Sequence, residues 1–390
     1  MCTIIWQIHG EIFPKAIQMK MTGSIKSHKN LRVQSIYVIL IFLWISSAFS
    51  QEKKNYRVST IAFYNVENLF DTENDPFTFD DDRTPEGKDI WNTEKYEDKL
   101  KNISRVISEI GAKTSKNSPA IIGLCEIENL KVLEDIVDQP QLLEQNYGIV
   151  HFDSPDRRGI DVALLYQKDL FIPLNSRSHR LLIYELDDPS KRVYTRDQLV
   201  VSGLFEGEAM HFIVNHWPSR SGGEARSSYK RERAAHLNKK IIDSLHQIDP
   251  YAKIITLGDF NDDPTNKSIK KVLNTQSIKA KTGSKELFNP MEKMLKQGLG
   301  TLAYRDGWNL FDQIILSKTF LNSDYETYQF YKAGIFNPVY LITPTGQYRG
   351  YPFRSYDYGG YTGGYSDHFP VYVYLIKEEK AGTAVHILEE

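Results

Sequence analysis

Short apolar stretches with the composition of β-strands recur along this chain, and several of them end in Asp, Asn or His. The runs NHWPSR (residues 215–220), LGDFND (257–262) and SDHFPV (366–371) show the pattern most clearly. Enzymes built on sheets gather catalytic groups at strand ends, where a rigid scaffold holds them. The pattern therefore predicts a sheet-based fold in which distant polar residues converge on one site.

The spacing of apolar residues predicts many strands and few helices. Helical spacing is found over Trp91–Ile110 and Glu224–Leu245. Residues 71–89 are predicted to form an acidic loop, and Tyr325–Tyr365 a long ordered surface loop or a substrate-facing aromatic rim. Many strands with scattered helices favour a two-sheet core with helices outside. Strands are predicted at residues 120–126, 160–166, 198–205, 210–214, 253–257, 313–316 and 371–375.

The first 50 residues have the pattern of a secretory signal. Ile36–Ile45 is a continuous apolar run that follows basic residues, and Ala48-Phe49-Ser50 is typical of a cleavage site. The run is shorter than the about 20 residues of a membrane span. We therefore expect one domain over residues 51–390, exported to the periplasm or the medium, with no span after cleavage. Residues 1–20 are interpreted as an extension upstream of the true start.

Charge and cysteine content argue against a protein that binds nucleic acid through its bulk charge and against one stabilised by disulfides. Residues 1–50 hold five basic residues and one acidic residue, out of 48 and 50 in the whole chain, so their removal leaves a net charge of −6. Such a chain is no basic nucleic-acid binder by bulk charge, although a bound cation reverses the field locally. Only Cys125 would remain, so no intrachain disulfide can form, and a buried strand residue is expected there. A monomer is expected.

Asn65 and Glu126 are the candidate metal residues, because each ends an apolar strand. A hard cation such as Mg²⁺ takes one or two carboxylates together with amide, water and phosphate oxygens. Asn65 would supply an amide oxygen or orient the Glu126 carboxylate. Taken alone, each residue is also typical of a turn or a cap.

Asp259 and Asn261 alternate across Phe260 at the end of a predicted strand. If the pleat continues, both side chains point to one face and can hold and polarise a water molecule. An Asx turn leading into Asp262-Asp263-Pro264 is the alternative that this sequence equally favours.

Two histidines and two arginines complete the set of candidate catalytic and phosphate-binding residues. His368 precedes a strand and can act as acid, base or electrostatic support, with Asp312 as the carboxylate that fixes its tautomer. His216 offers a second imidazole. Arg158 and Arg220 adjoin strand ends and are candidate substrate-binding phosphate clamps. The sequence contains no Walker loop, GxSxG elbow or HExxH motif.

These residues lie in blocks that resemble the endonuclease/exonuclease/phosphatase superfamily, the group with the deoxyribonuclease-I-like fold. The blocks occur in the family's order between residues 60 and 375: FYNVENLF, LCEIENL, RGIDVALLY, NHWPSR, LGDFND, DQIIL and SDHFPV. The resemblance implies an α/β fold, a four-layer α/β sandwich with two mainly antiparallel sheets packed face to face and helices outside. It also implies metal-dependent hydrolysis of phosphodiesters or phosphomonoesters.

The resemblance also implies a role for each matching position. Asn65, Glu126 and Asp367 would form the metal site for Mg²⁺, with Mn²⁺ or Ca²⁺ as alternatives. Asp259 and Asn261 would position and activate the water, and His216 would contact a phosphate oxygen. His368, held by Asp312, would support the transition state or transfer a proton, and Arg158 would match a phosphate-contacting Arg. The general base lies on the Asp259 side or the His368 side.

Three functions follow from this sequence. The first is an exported metal-dependent phosphoesterase acting on phosphodiesters, with nucleic acid as the leading substrate. The second is a phosphatase, or a phosphodiesterase of phospholipids or small molecules. The third is a non-enzymatic binding module, which the intact set of polar strand-end residues disfavours. Substrate choice depends on loops, and the fold does not decide it.

Overall fold

The structure is a computed structural model, and it describes residues 54–379. The predicted signal region and the proposed upstream extension lie outside the described residues. In this range no helix is long and apolar enough to cross a membrane.

The described range contains five α-helices and a larger number of strands. The α-helices are α1 (Thr93–Glu109), α2 (Ala112–Ser115), α3 (Leu130–Val137), α4 (Glu224–Ile248) and α5 (Met291–Lys296). Short 3₁₀ segments span Asp81–Arg83, Leu143–Gln145, Lys279–Lys281, Lys318–Leu321 and Val339–Leu341, and a π-helical turn spans Ser268–Val272. The strands are β1 (Asn55–Leu69), β2 (Ile121–Ile127), β3 (Tyr147–His151), β4 (Asp161–Gln167), β5 (Phe171–His179), β6 (Ile183–Tyr184), β7 (Arg192–Val193), β8 (Gln198–Phe205), β9 (Glu208–His216), β10 (Lys253–Asp259), β11 (Thr275–Gln276), β12 (Leu287–Phe288), β13 (Leu302–Tyr304), β14 (Gly307–Asn309), β15 (Asp312–Ser317), β16 (Gln329–Ile335), β17 (Tyr356–Asp357), β18 (Gly360–Tyr361) and β19 (Val371–Glu379).

Two large sheets organise the domain, and each has a parallel pair of strands near its centre. The first sheet has the order β16-β19-β1-β2-β4-β3, in which only β1 and β2 run parallel. The second has the order β11-β12-β15-β10-β9-β8-β5, in which β9 and β10 form the central parallel pair. Because parallel neighbours end at the same sheet edge, Asp259 lies directly beside His216 in the register.

The two sheets pack face to face through a core of side chains from both. Phe63 and Leu375 of the first sheet meet Val214 and Leu257 of the second in one buried cluster. The sheets approach closely beside β2, since a Cβ atom on Gly123 would lie 3.1 Å from the side chains of Leu257 and Val214. This contact brings the strand ends of both sheets together at one edge.

Helices cover the outer faces of both sheets, which gives the four layers expected from the resemblance. Helix α1 buries Ile103 and Ile107 against the first sheet, and Asn92 caps its first turn by accepting from the Lys95 amide at 3.1 Å. Helix α4 buries Ala234 and Ile241 against the second sheet. The predicted fold class is confirmed, and so are the two helices read from apolar spacing.

One expectation about the fold is wrong. Tyr325–Tyr365 is not a single surface loop, because Gln329–Ile335 pairs with β19 as the edge strand of the first sheet. A bulge between Phe330 and Lys332 interrupts the alternation of buried and exposed side chains that would have indicated a strand. The remainder of the segment is ordered by a short hairpin, β17–β18.

Candidate active site

Six of the predicted residues line one cleft at the edge where the strand ends meet. The cleft has a volume of about 340 Å³. Its lining residues are Glu126, Asp156, Arg157, Arg158, Tyr194, Arg196, His216, Ser219, Asp259, Asn261 and His368. The chain thus brings together side chains that lie up to 242 residues apart, from Glu126 to His368.

Glu126 is turned into the cleft by an irregularity in its strand. Its φ angle is 63°, in the left-handed region, and the register of β2 against β4 shifts between Cys125 and Ile127. A residue with a side chain adopts this region at a cost, so the surroundings must hold it there. The backbone N–H of Asn68 helps to hold Glu126 there by donating a hydrogen bond to its Oε2 at 2.9 Å.

The Asn65 amide orients the two carboxylates of the cleft. Its Nδ2 donates to Asp259 Oδ2 at 3.1 Å and lies 3.5 Å from Glu126 Oε1, while its Oδ1 accepts from the Glu67 amide at 3.0 Å. The side-chain oxygen of Asn65 is thus already engaged in a hydrogen bond. Of the two roles that the sequence left open, the geometry favours orienting the Glu126 carboxylate over binding the metal.

Asp259 and Asn261 form an Asx turn, and the turn still places both side chains in the cleft. Strand β10 ends at Asp259, whose Oδ1 accepts from the Asn261 amide at 2.9 Å. Asn261 has a φ of 50°, and its Nδ2 donates to the Trp217 carbonyl at 3.0 Å. The pleat therefore does not continue, but the carboxylate and the amide converge on one space nonetheless.

The carboxyl group of Asp259 has properties suited to taking up a proton. Burial raises the pKa of Asp259 to about 6, although the nearby His368 cation opposes the shift. A base with a pKa close to the working pH is efficient because it is deprotonated and still takes up protons readily. Asp259 can therefore accept a proton from a water molecule in the cleft.

The two histidines of the cleft are held in different protonation states. Burial and the nearby Arg196 and Arg158 guanidinium groups hold the pKa of His216 well below its usual value, so its ring is neutral. Burial also disfavours the His368 cation, but the carboxylates of Asp312, Asp259 and Asp367 outweigh this and raise the pKa of His368 well above its usual value.

His368 is presented to the cleft by its partner Asp312. The Asp312 Oδ2 atom lies 2.7 Å from His368 Nδ1, which fixes the ring and leaves Nε2 to donate. Nε2 faces Asp259 Oδ2 at 4.0 Å. The neutral His216 is also close, with Nε2 3.7 Å from both Glu126 Oε1 and Asp259 Oδ2. The pairing of His368 with Asp312 that the sequence suggested is present in the structure.

Asp367 lies beside the cleft and not among the residues that line it. Its Oδ2 accepts from Arg354 Nη2 at 3.1 Å, and Arg354 Nε in turn donates to Glu67 Oε1 at 3.2 Å. Burial and the Glu67 carboxylate raise the pKa of Asp367 to about 7. Its role as a metal ligand stays a prediction.

The two arginines expected to bind substrate differ in position. Arg158 lines the cleft, is largely exposed, and donates to Asn68 Oδ1 at 3.3 Å. Arg220 does not reach the lining. Its Nε donates to the Asn261 carbonyl at 3.0 Å, and its guanidinium stacks over Phe311 at 4.5 Å from the ring centroid. Arg220 therefore holds the Asx turn in place, and the structure does not support direct contact with substrate.

Sequence reasoning missed a buried ion pair among the residues that line the cleft. Arg196 Nη1 donates to Asp156 Oδ2 at 2.8 Å, and its other nitrogens donate to the carbonyls of His216 at 3.2 Å and Trp217 at 2.8 Å. The pair fixes the backbone that carries His216. Tyr194 and Arg157 were missed as well, because neither follows an apolar run, and Ser219 was missed although it lies within the strand-end run NHWPSR.

The donors of the cleft fit a hard divalent cation. Glu126 is partly exposed there and has Oε1 directed towards Asn65 and His216. Carboxylate oxygens of Asp259 and Asp312 lie within 4.8 Å of each other, while the cationic His368 beside them has no lone pair for a metal. Oxygen ligands of this kind suit Mg²⁺ or Mn²⁺ better than a soft metal. Cys125 is no alternative ligand or nucleophile, because burial raises the pKa of its thiol well above the usual value.

Comparisons with known proteins identify the family of the chain and structures with a similar fold. The model of the Endonuclease/Exonuclease/phosphatase family matches residues 60–377. An endonuclease/exonuclease/phosphatase family protein from Bacteroides thetaiotaomicron has a TM-score of 0.50 at 19% identity, covering 83% of this chain and 97% of that one. D. rerio TDP2 complexed with single strand DNA product has a TM-score of 0.50 at 14% identity, covering 82% and 98%. No curated protein sequence matches.

At these identities the two structures establish likeness of fold, while the family match rests on the sequence itself. It spans every block from the strand of Asn65 to the strand after His368. The chain belongs to the endonuclease/exonuclease/phosphatase family, whose members are metal-dependent hydrolases of phosphate esters.

Proposed function

We propose that the protein is an exported nuclease that hydrolyses phosphodiester bonds with the help of a divalent cation. The observation that carries the proposal is the pairing, in one cleft, of a carboxylate base at Asp259 with a cationic histidine at His368, 4.0 Å apart. Phosphate ester hydrolysis needs an oriented water and a donor for the developing charge, and these two groups supply both. Export rests on the signal pattern of residues 1–50 alone.

Each residue of the cleft has a part in the proposed reaction. Asp259 takes the proton of the attacking water, and Asn261 holds that water beside the carboxylate. His368 donates from Nε2 to a phosphate oxygen, while neutral His216 contacts another oxygen. Glu126, oriented by Asn65, would hold the cation, which supplies Lewis-acid stabilisation of the phosphate when bound.

The cationic side of the cleft supports nucleic acid as the substrate. Arg157 and Arg158 are exposed at its rim, in a domain with more acidic than basic residues. Positive charge concentrated beside the reacting groups favours a polyanion. On the same fold, D. rerio TDP2 was crystallised with a single strand DNA product.

Removal of divalent cations should abolish hydrolysis. We expect the purified protein to degrade single-stranded or plasmid DNA with Mg²⁺ or Mn²⁺, to lose at least about 99% of this activity in EDTA, and to regain it when the cation is restored. Gel electrophoresis of the DNA measures the effect. RNA, a bis-aryl phosphodiester and a phosphomonoester complete the panel. Activity confined to the monoester would contradict the nuclease proposal and favour a phosphatase.

Substitution of Glu126 should weaken binding of the cation. In Glu126→Gln the charge is removed while the shape is kept, so we expect the dissociation constant for Mn²⁺ to rise by about tenfold or more. Isothermal titration calorimetry measures this without turnover. Glu134→Gln, at an exposed position of α3, is the matched control and should bind as the wild type does. Unchanged affinity in Glu126→Gln would remove Glu126 from the metal site.

A further inference from the structure

Two arginines flank an aromatic ring at the mouth of the cleft. The ring of Tyr194, which lines the cleft, has the Arg192 guanidinium 4.8 Å and the Arg157 guanidinium 5.7 Å from its centroid. Arg157 belongs to the loop between β3 and β4, and Arg192 to the short strand β7. Two separate segments of the chain therefore direct positive charge at the same point.

Neither guanidinium is neutralised by the protein. Over residues 54–379, the side chains of Arg157 and Arg192 make no hydrogen bond and no ion pair, and the Nε and Nη2 atoms of Arg192 are buried without a partner. Other arginines near the site are engaged: Arg196 pairs with Asp156, and Arg231 pairs with Asp262 at 2.6 Å. Two guanidinium groups beside one ring, with no carboxylate partner in the described range, make the mouth of the cleft positive, and positive charge there favours an anionic ligand.

We propose that Arg157, Arg192 and Tyr194 form a subsite for a second phosphate of the substrate, next to the phosphate that is hydrolysed. The inference rests on the proposed nuclease function and adds to it a substrate class, phosphodiesters with a further phosphate one nucleotide away. The guanidinium group pairs with phosphate oxygens through two parallel hydrogen bonds, which makes arginine well suited to this task. The ring of Tyr194 holds both cations at a fixed place without cancelling their charge.

The subsite is joined to the reacting groups through the loop that contains Arg157. Asp156 of this loop is fixed by Arg196, and its Oδ1 accepts from the Arg158 amide at 2.9 Å. Arg158 reaches Asn68, whose amide orients Glu126. This network fixes the loop that carries Arg157 relative to Glu126 in the cleft.

Two substrates that differ only in the second phosphate test the proposal. The first is thymidine 3′-(p-nitrophenyl phosphate), and the second is the same ester with an added 5′-phosphate. In the wild type we expect kcat/KM to be about tenfold or more higher for the 5′-phosphorylated ester. Arg157→Gln and Arg192→Gln should each reduce this ratio towards one.

Arg233→Gln, at an exposed position of α4, is the control and should keep the wild-type ratio. A wild-type ratio of one, or a ratio that both variants retain, would overturn the subsite. If neither ester is hydrolysed, the proposed function fails, and calorimetry decides the subsite separately. Binding of thymidine 3′,5′-bisphosphate tighter than thymidine 3′-phosphate, lost in both variants, supports it, whereas equal affinities refute it.

Discussion

Replacing His368 with alanine should lower kcat on a phosphodiester by about three orders of magnitude. The variant loses the donor that faces the developing negative charge, and removal of one such donor typically costs about 10²–10³-fold in rate. The loss should be near the upper end because Asp312, 2.7 Å away, and burial keep this imidazole cationic and aimed into the cleft. Steady-state kinetics with a bis-aryl phosphodiester measures the effect.

His236→Ala, at an exposed position of α4, is the matched control and should keep wild-type turnover. The two variants should show the same circular dichroism spectrum, so that a loss in His368→Ala is assigned to chemistry. Turnover of His368→Ala within threefold of the wild type would remove His368 from the mechanism and leave neutral His216 as the histidine that acts on the phosphate.

Asp259→Asn should be the second severe variant, with kcat reduced about 10²–10⁴-fold, the range that a positioned general base contributes. Asparagine keeps an oxygen for the Asx turn, in which Oδ1 accepts from the Asn261 amide at 2.9 Å. The substitution therefore removes the proton acceptor while the local backbone is retained. Kinetics on the same diester measures the effect, and Mn²⁺ calorimetry shows whether the cation still binds.

Three outcomes would separate the possible roles of Asp259. A large fall in kcat with unchanged Mn²⁺ affinity agrees with the base assignment. If the variant loses both Mn²⁺ binding and turnover, Asp259 holds the cation. If its kcat equals that of the wild type, another group accepts the proton of the attacking water. Asp243→Asn, at an exposed position of α4, controls for loss of charge.

The strand-end residues were predictable because an apolar run fixes where a buried strand stops. Glu126, His216, Asp259 and His368 each follow such a run or precede one, and all four line the cleft. Parallel neighbours end at the same edge, which places His216 beside Asp259. The packing of the two sheets then brings Glu126 and His368 of the other sheet to the same place.

Side-chain direction was not predictable from the same pattern. Arg220 adjoins a strand end as Arg158 does, yet it turns to the Asn261 carbonyl and to Phe311, residues that lie more than 40 positions away. The Arg196–Asp156 pair likewise joins positions 40 residues apart. A single sequence does not show which charged side chains will form hydrogen bonds or ion pairs with groups so distant along the chain.

The prediction missed one edge strand, in which buried and exposed side chains do not alternate regularly. Gln329–Ile335 is an edge strand with a bulge, so its buried side chains do not alternate, and its composition of Tyr, Lys and Gly resembles that of a loop. The central strands are buried on both faces and were found as continuous apolar runs.

The pairing of β1 with β19 has a consequence for how the protein is made. Residue 55 pairs with residue 379, and Phe63 pairs with Val371. The first sheet therefore cannot be completed until β19, the last described strand, is available to pair with β1. His368 immediately precedes that last strand. Ribosomes deliver about 5–20 residues per second, so the centre of the sheet stays open for tens of seconds while the chain is synthesised. A chain that lacks β19 would therefore be missing an interior strand of the first sheet, the strand that His368 immediately precedes.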